Sequence, residues 1–461
     1  MATGTEHAVH RIERDHCLGP SRTVDAPIDG ARYGRMFPEL PSLIADVGDL
    51  EAAGKPGGVC DATVALDVLA DGHDDAAGAA GWPFFGQLIA HDITADRSPV
   101  GPEADIASLR NARAPKLNLE MVYGDGPVGA PYLYDVRDPA KMLIGADGLD
   151  LPRNSQGVAL IGDPRNDVHV VAAHLHLALL HAHNGLVAQL SADGVTGAEL
   201  FDAARRALTW HYQWIVVHDF LPRLVGAELA DEVLVSGGRF FSPAPGDAYL
   251  PLEFADAAYR YGHGQIRHAY QLQPGGPEYP LFPDLASFGP ILPEHRMDIG
   301  QLFDLPGHPM AQRAKAMDGG LPASLINLPH QVTGDVDVDA YRSLAVRDLL
   351  RGSATRLPSG ETVAEALGVA PLSKDEVASG WAWGTPLWFY VLKEAQIRGE
   401  GNQLGPVGGR IVTEVLLGLL RADLCSYLTV HPSWTPTLPR YGGSSFGLAE
   451  LLLFAADAVT G

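Results

Sequence analysis

Helical periodicity runs through most of this chain, and strand alternation is scarce. Apolar residues recur at helical spacing over roughly 82–95, 164–190, 198–224, 254–272, 337–351, 376–397, 407–427 and 446–458. Long irregular stretches separate them, notably 96–163 and 273–336. Only MVYGDGPVGAPYLYD and VLVSGGRFF suggest short hairpins. The pattern predicts a mainly α fold: a single large helical domain with few short strands and long loops. No repeat, low-complexity tract or clean linker divides it. Residues 1–30 read as an N-terminal extension and 31–461 as the domain. Residues 1–80, rich in Gly, Pro, Asp and Arg, read as loops wrapped around something larger.

The 461 residues are 46% hydrophobic, enough for a sizeable core. A formal charge of −23 argues against nucleic acid and anionic membrane as partners, since both demand basic patches. The three cysteines, Cys17, Cys60 and Cys425, form no CxxC pair, which argues against a disulfide framework or thiolate metal site. MATGTEHAVHRIERDHC has no apolar signal core, and no run of eighteen apolar residues occurs. The expectation is a cytoplasmic protein without a membrane span.

Chemistry concentrates in three segments. In FFGQLIAHDIT, Phe84, Phe85, Leu88, Ile89 and Ile93 mark a buried helix, yet Gln87 and His91 share one face. In GDPRNDVHVV, Asp163 suits a helix cap and Pro164 the first helical position. Arg165 then lies in line with Val168, Ala172, Leu175 and Leu179 and points inward, where a guanidinium needs a carboxylate, an anion or a polar ligand. In YRYGHGQIRHAY, His263 sits between Gly262 and Gly264, which allow something flat to approach the backbone.

Other patterns fail on context. The GxGxxG of Gly124, Gly126 and Gly129 contains Pro127 and has no βαβ unit around it. The GxSxG from Gly443 to Gly447 lacks the preceding strand of a nucleophile elbow. His174, His176, His181 and His183 align in pairs two turns apart, too far for one zinc, and read as packed or hydrogen-bonded histidines. No HExxH occurs. A haem site, by contrast, needs an axial imidazole, room for a flat macrocycle and polar groups on the open face, and these segments supply those parts.

FFGQLIAHD, GDPRNDVHVVAAHLHLALLHAHNGLVAQL, YRYGHGQI, LAVRDLLRGSATRLPSG and LGPVGGRIVTEVLLGLL, in that order, resemble the animal-type haem peroxidase superfamily in a bacterial branch. The resemblance covers roughly residues 30–458. It implies His91 as the distal base with Gln87 beside it, Arg165 as the distal guanidinium, and His263 as the axial ligand of haem iron. Asp348 falls where the family usually has asparagine, and a carboxylate there would bond the axial Nδ1–H and raise its electron donation. The resemblance also implies a calcium site from Asp92, Asn118 and Glu120, with Lys116 offering its carbonyl; Ala114 offers no hydroxyl there.

Ala90 and Val168 stand where mammalian members carry ester-forming carboxylates, and His169 where one has a haem-linked methionine. The resemblance therefore implies non-covalent haem b. Arg260 takes the place of the radical tyrosine of cyclooxygenases and fatty-acid dioxygenases; Tyr259 and Tyr261 flank it and are expected to project differently. The implied activity is reduction of hydrogen peroxide with oxidation of a small phenolic, aromatic or halide donor through a ferryl intermediate. The alternatives are a haem-dependent oxygenase or biosynthetic oxidase acting on one metabolite or lipid, and a non-catalytic haem carrier.

Overall fold

The computed structural model describes residues 33–63, 75–95, 111–145, 147–336, 338–442 and 445–460. The expected extension at 1–30 and the first two residues of the GxSxG pattern lie outside the described residues. The main helices are α1 (Val47–Gly54), α2 (Trp82–Ile93), α3 (Val170–Ala192), α4 (Ala198–Ile215) and α5 (Ala227–Ser236), then α6 (Leu344–Ala354), α7 (Gly360–Leu367), α8 (Leu387–Arg398), α9 (Pro406–Ala422) and α10 (Leu448–Thr460). Three two-stranded sheets are small: Tyr33–Gly34 pairs parallel with Leu250–Pro251, and the other two are antiparallel. The fold is mainly helical, as the periodicity implies.

Local chemistry explains where the elements start. Asp46 caps α1 by accepting from the Asp49 N–H, and Ser343 caps α6 by accepting from Val346. Pro83 occupies the first turn of α2, where its missing N–H costs nothing. Gly54 ends α1 against α6, where a Cβ would lie 2.6 Å from the Val346 backbone nitrogen. Helix α4 runs through a π-helical turn, Val216–Phe220, into Leu221–Val225. The wider turn accommodates Pro222, which has no N–H to continue the ladder.

Helix α3 packs along α10 and α4 and forms much of the core. Among the described residues it is the one helix long and apolar enough to cross a membrane, and 78% of that apolar window is buried inside the fold. Helix α2 packs on α3 and on a 3₁₀ turn, Ala258–Gln265, whose other side meets α8.

The structure departs from the periodicity in several places; the segment 376–397, for one, is broken at 378–386 between the short turn Lys374–Val377 and α8. The segment 164–190 is not one helix: Pro164–Asp167 is a 3₁₀ turn, His169 is extended, and α3 begins at Val170. His169 itself is the cap, its Nδ1 accepting from the Ala172 N–H at 3.1 Å. The segment 254–272 splits into a one-turn helix, the 3₁₀ turn and a strand, Ala269–Gln271, that forms a hairpin with Glu278–Pro280. Neither expected hairpin forms. VLVS belongs to α5, and Glu120–Tyr123 and Gly126–Gly129 are helical turns. Gly126 has φ +75°, the turn role that its rejection as a nucleotide loop implies.

Burial holds His176, His183 and His211 neutral, pushing each down to about 4. Because these values lie below that of an unfolded histidine, stability is full above about pH 6.5 and falls as pH drops toward 4, where the unfolded chain takes up protons the folded one refuses. Urea unfolding midpoints should therefore fall progressively from pH 7 to pH 4.5; an unchanged midpoint would mean the three imidazoles are not held neutral.

Candidate active site

A cavity of about 340 Å³ lies between α2 and the 3₁₀ turn. Gln87, Ala90, His91, Arg165, Val168 and His263 all line it. The structure thus brings together residues from three separated segments. Asp348 stands behind His263, wholly buried on α6.

On the α2 side, His91 is 8% exposed and its Nδ1 meets Asn166 Oδ1 at 2.7 Å. Asn166 Nδ2 meets His176 Nδ1 at 2.9 Å. One assignment satisfies both contacts: the Asn166 amide donates to His176, and its carbonyl oxygen accepts the His91 Nδ1–H. His91 then presents a bare Nε2. Burial, helped by the Arg165 charge, pushes His91 down to about 4, so it is neutral near pH 7 and able to take a proton. Sequence reading missed Asn166. Its signal was its place beside Arg165, but its partner His176 lies ten residues away, across the break before α3.

Arg165 is half-exposed at the cavity wall rather than buried. Its Nε and Nη2 grip Asp163 at 3.0 and 2.7 Å, and Nη2 also donates to the carbonyls of His91 and Thr94. Nη1 has no hydrogen bond among the described residues. The guanidinium is both an ion-pair member and a free donor. Gln87 is held by His169: with His169 Nδ1 accepting from Ala172, its Nε2–H donates to Gln87 Oε1 at 3.0 Å. The Gln87 amide N–H groups are left as donors.

On the opposite side, His263 Nδ1 meets Asp348 Oδ2 at 2.6 Å, leaving Nε2 free to ligate a metal. Arg260 Nη1 holds Asp348 Oδ1 at 2.9 Å. The 3₁₀ turn explains this pairing, because residues three apart eclipse one another. Burial alone would raise Asp348, but His263 and then Arg260 bring it below the usual carboxylate range. The expected gain in electron donation from Asp348 is therefore shared with a guanidinium. A Cβ placed on Gly262 would have only the Pro83 carbonyl oxygen nearby, at 4.0 Å, so the backbone is open to a flat group there. Gly264 serves packing instead, since a Cβ would lie 2.8 Å from Leu392. Tyr259 and Tyr261, expected to project elsewhere, both line the cavity.

Two further sets of residues bear on the cofactor. No Asp or Glu is among the described residues lining the cavity. Asp167, beside Val168, is held by Arg153 at 2.7 and 2.8 Å and by Ser287 at 2.9 Å. The side chains of the expected calcium set all have partners within the protein. Asp92 accepts from the Leu119 N–H, Asn118 from the Glu120 N–H, and Glu120 pairs with Arg113. The four α3 histidines separate: His174 bonds Val170 and Met297, His181 bonds Gly148, and His183 bonds Tyr123 and Ala140. No group of three or more His, Cys, Asp or Glu among the described residues is placed to hold a metal ion.

A family model, animal haem peroxidase, matches residues 96–278, which include Arg165 and His263. The chain is 32% identical over 125 residues to a peroxidase-like protein of Margaritifera margaritifera, covering 25% of this chain and 15% of that one. It is 29% identical over 169 residues to heme peroxidase 2 of Caenorhabditis elegans, covering 33% and 23%. The chain thus spans under a quarter of the length of these curated relatives. Peroxidase A of Dictyostelium discoideum has a similar fold, with TM-score 0.65 at 13% identity over 94% of this chain and 93% of that one. Oryza sativa fatty acid alpha-dioxygenase follows at TM-score 0.59 and 15% identity, covering 91% and 81%.

Asn166→Leu should remove the acceptor for the His91 Nδ1–H and the donor to His176 at once. The expected loss is about 1–3 kcal/mol in denaturant unfolding. Nitrogen NMR of His91 should also show mixed tautomers in place of one. A single unchanged tautomer would remove Asn166 from this role.

Proposed function

We propose that this chain is a haem-dependent peroxidase that reduces hydrogen peroxide and oxidises a small phenolic, aromatic or halide donor, a reading supported by the animal haem peroxidase model that matches residues 96–278. The observation that carries this reading is a neutral histidine with a bare Nε2 beside a guanidinium, in the same cavity as a carboxylate-backed imidazole. A haem carrier needs no such acid–base pair.

The cavity fits the group. His263 Nε2 would ligate the iron, with Asp348 fixing its ring and the backbone at Gly262 leaving space for a flat macrocycle. With no carboxylate among the described lining residues and Asp167 engaged by Arg153, the haem would be held non-covalently. When bound, haem supplies the redox centre between peroxide and donor. His91 takes a proton from hydrogen peroxide and returns it to the departing oxygen, acting as base and then acid. Arg165 Nη1 stabilises negative charge on that oxygen. Gln87 offers its amide N–H groups to the same space.

A second reading, oxygenation of a lipid, draws on Tyr259 and Tyr261 in the cavity wall and on the fold shared with alpha-dioxygenases. Arg260, engaged with Asp348, takes the place of a radical tyrosine. Peroxide-dependent oxidation of guaiacol without oxygen uptake supports the peroxidase; oxygen uptake with palmitate and no added peroxide supports the oxygenase.

His91→Ala should retain haem and slow the reaction with peroxide by roughly 10²–10⁴-fold. Arg165→Ala should slow the same step, and the two losses should not add. His263→Ala should lose haem or its normal spectrum. In the wild type the rate should fall only below about pH 4, as His91 becomes protonated. Stopped-flow spectra decide, and a wild-type rate for His91→Ala would overturn the assignment.

Acidified organic solvent should strip haem from the denatured chain. Haem remaining with the polypeptide would point to a covalent link through a residue not identified above.

A further inference from the structure

The segment matched to a calcium loop does return to α2, but a different cation ties it there. Arg113 is 8% exposed and sits among oxygens from three directions. Its Nη1 meets Glu120 Oε1 at 3.0 Å, and its Nη2 meets Asp163 Oδ2 at 2.9 Å and the Gly162 carbonyl at 2.8 Å. Asp163 passes the tie to Arg165, whose Nη2 bonds the carbonyls of His91 and Thr94 at the end of α2. We infer that Arg113 is a positioning residue that replaces a divalent cation: it links the Glu120 loop, the Asp163 turn and α2, and holds Arg165 beside His91 without calcium.

Charge and ligand chemistry both support this. Glu120 and Asp163 pair directly with two guanidinium groups, Arg113 and Arg165, which offset their charge, and Asp92, the third carboxylate nearby, is pushed up to about 7 by burial and by Glu120. A calcium ion added there would meet two cations at close range. Calcium also takes six to eight oxygens. The Asp92 carboxylate instead accepts the Leu119 N–H at 3.0 Å, and Asn118 Oδ1 accepts the Glu120 N–H at 3.0 Å. The Asp92, Asn118 and Glu120 side chains each already accept from a donor of the protein itself. A buried guanidinium is a natural substitute, because its fork bonds two carboxylates and a carbonyl at once.

The replacement carries its own signature. Removing the Arg113 side chain leaves Glu120, Asp163 and the Gly162 carbonyl as an all-oxygen cluster with one cation fewer, to which calcium binds with water completing its six to eight oxygens. The test uses the full chain, with metal content and thermal melts as readouts. Neither depends on peroxide or a donor, so the outcome is independent of the proposed activity. Wild-type protein dialysed against EGTA should hold no stoichiometric calcium, and its Tm should be the same in EGTA and in 5 mM CaCl2. Arg113→Ala should melt roughly 5 °C lower. Calcium, but not NaCl of equal ionic strength, should restore part of that loss, a response that a merely structural arginine would not give. Arg113→Lys should fall between, having the charge without the fork. If Arg113→Ala does not fold, Glu120→Gln should lower the Tm less, by removing one partner of three. One calcium per wild-type chain with a Tm that falls in EGTA would overturn the inference. So would an Arg113→Ala protein that melts like wild type, or a Glu120→Gln protein with no change in Tm.

Discussion

Two buried carboxylates hold the two walls of the cavity, and the rest of the site depends on their pairing. Asp163 is 3% exposed and Asp348 is fully buried. Burial alone would raise Asp163, yet the hydrogen-bonded Arg165 guanidinium, with His91 and Arg113 nearby, holds it well below the usual carboxylate range. Both acids are therefore charged, and each is shared by two partners: Asp163 by neighbouring Arg165 and by Arg113, 50 residues away, and Asp348 by Arg260 and His263, 88 and 85 residues away. Removing one partner from a buried pair costs about 3–5 kcal/mol, because it strands the other charge. That magnitude exceeds most single packing contacts, so these ion pairs set where the flanking segments sit.

The chain joining His91, Asn166 and His176 ends in an imperfection. His176 is wholly buried, and its Nε2 has no hydrogen-bond partner among the described residues. An unpaired polar atom in the interior costs about 1–3 kcal/mol. The fold tolerates this at the far end of the relay, while the near end presents one tautomer to the cavity. Stability is given up at a place where orientation matters more.

How much of this was legible in the sequence depends on the reach of each interaction. Gln87 and His91 were readable because a four-residue spacing on a helix is a local fact. Arg165 was read as inward-facing from its line with Val168, Ala172, Leu175 and Leu179; it does line the cavity, but from a separate 3₁₀ turn before α3. The start of α3 was missed because a histidine cap lies outside the usual Ser, Thr, Asp and Asn signal. The 3₁₀ turn around His263 was missed because its apolar spacing passes for an α-helix. Arg113 was invisible for a different reason. Its partners Glu120 and Asp163 lie 7 and 50 residues away, and only the folded loop brings them together. The partners of the expected calcium set were hidden for the same reason: backbone N–H groups bond Asp92 and Asn118, and the Arg113 guanidinium bonds Glu120.

The eclipsed turn that carries Arg260 and His263 also constrains how the sequence can drift. Asp348 reads both residues through its two oxygens, so positions 260 and 348 form one unit of inheritance. A neutral residue at 260 leaves a wholly buried carboxylate facing only an imidazole, and a neutral residue at 348 takes the closest anion from the arginine. Lineages descending from such a chain should change both positions together or neither, while position 263 stays fixed between them.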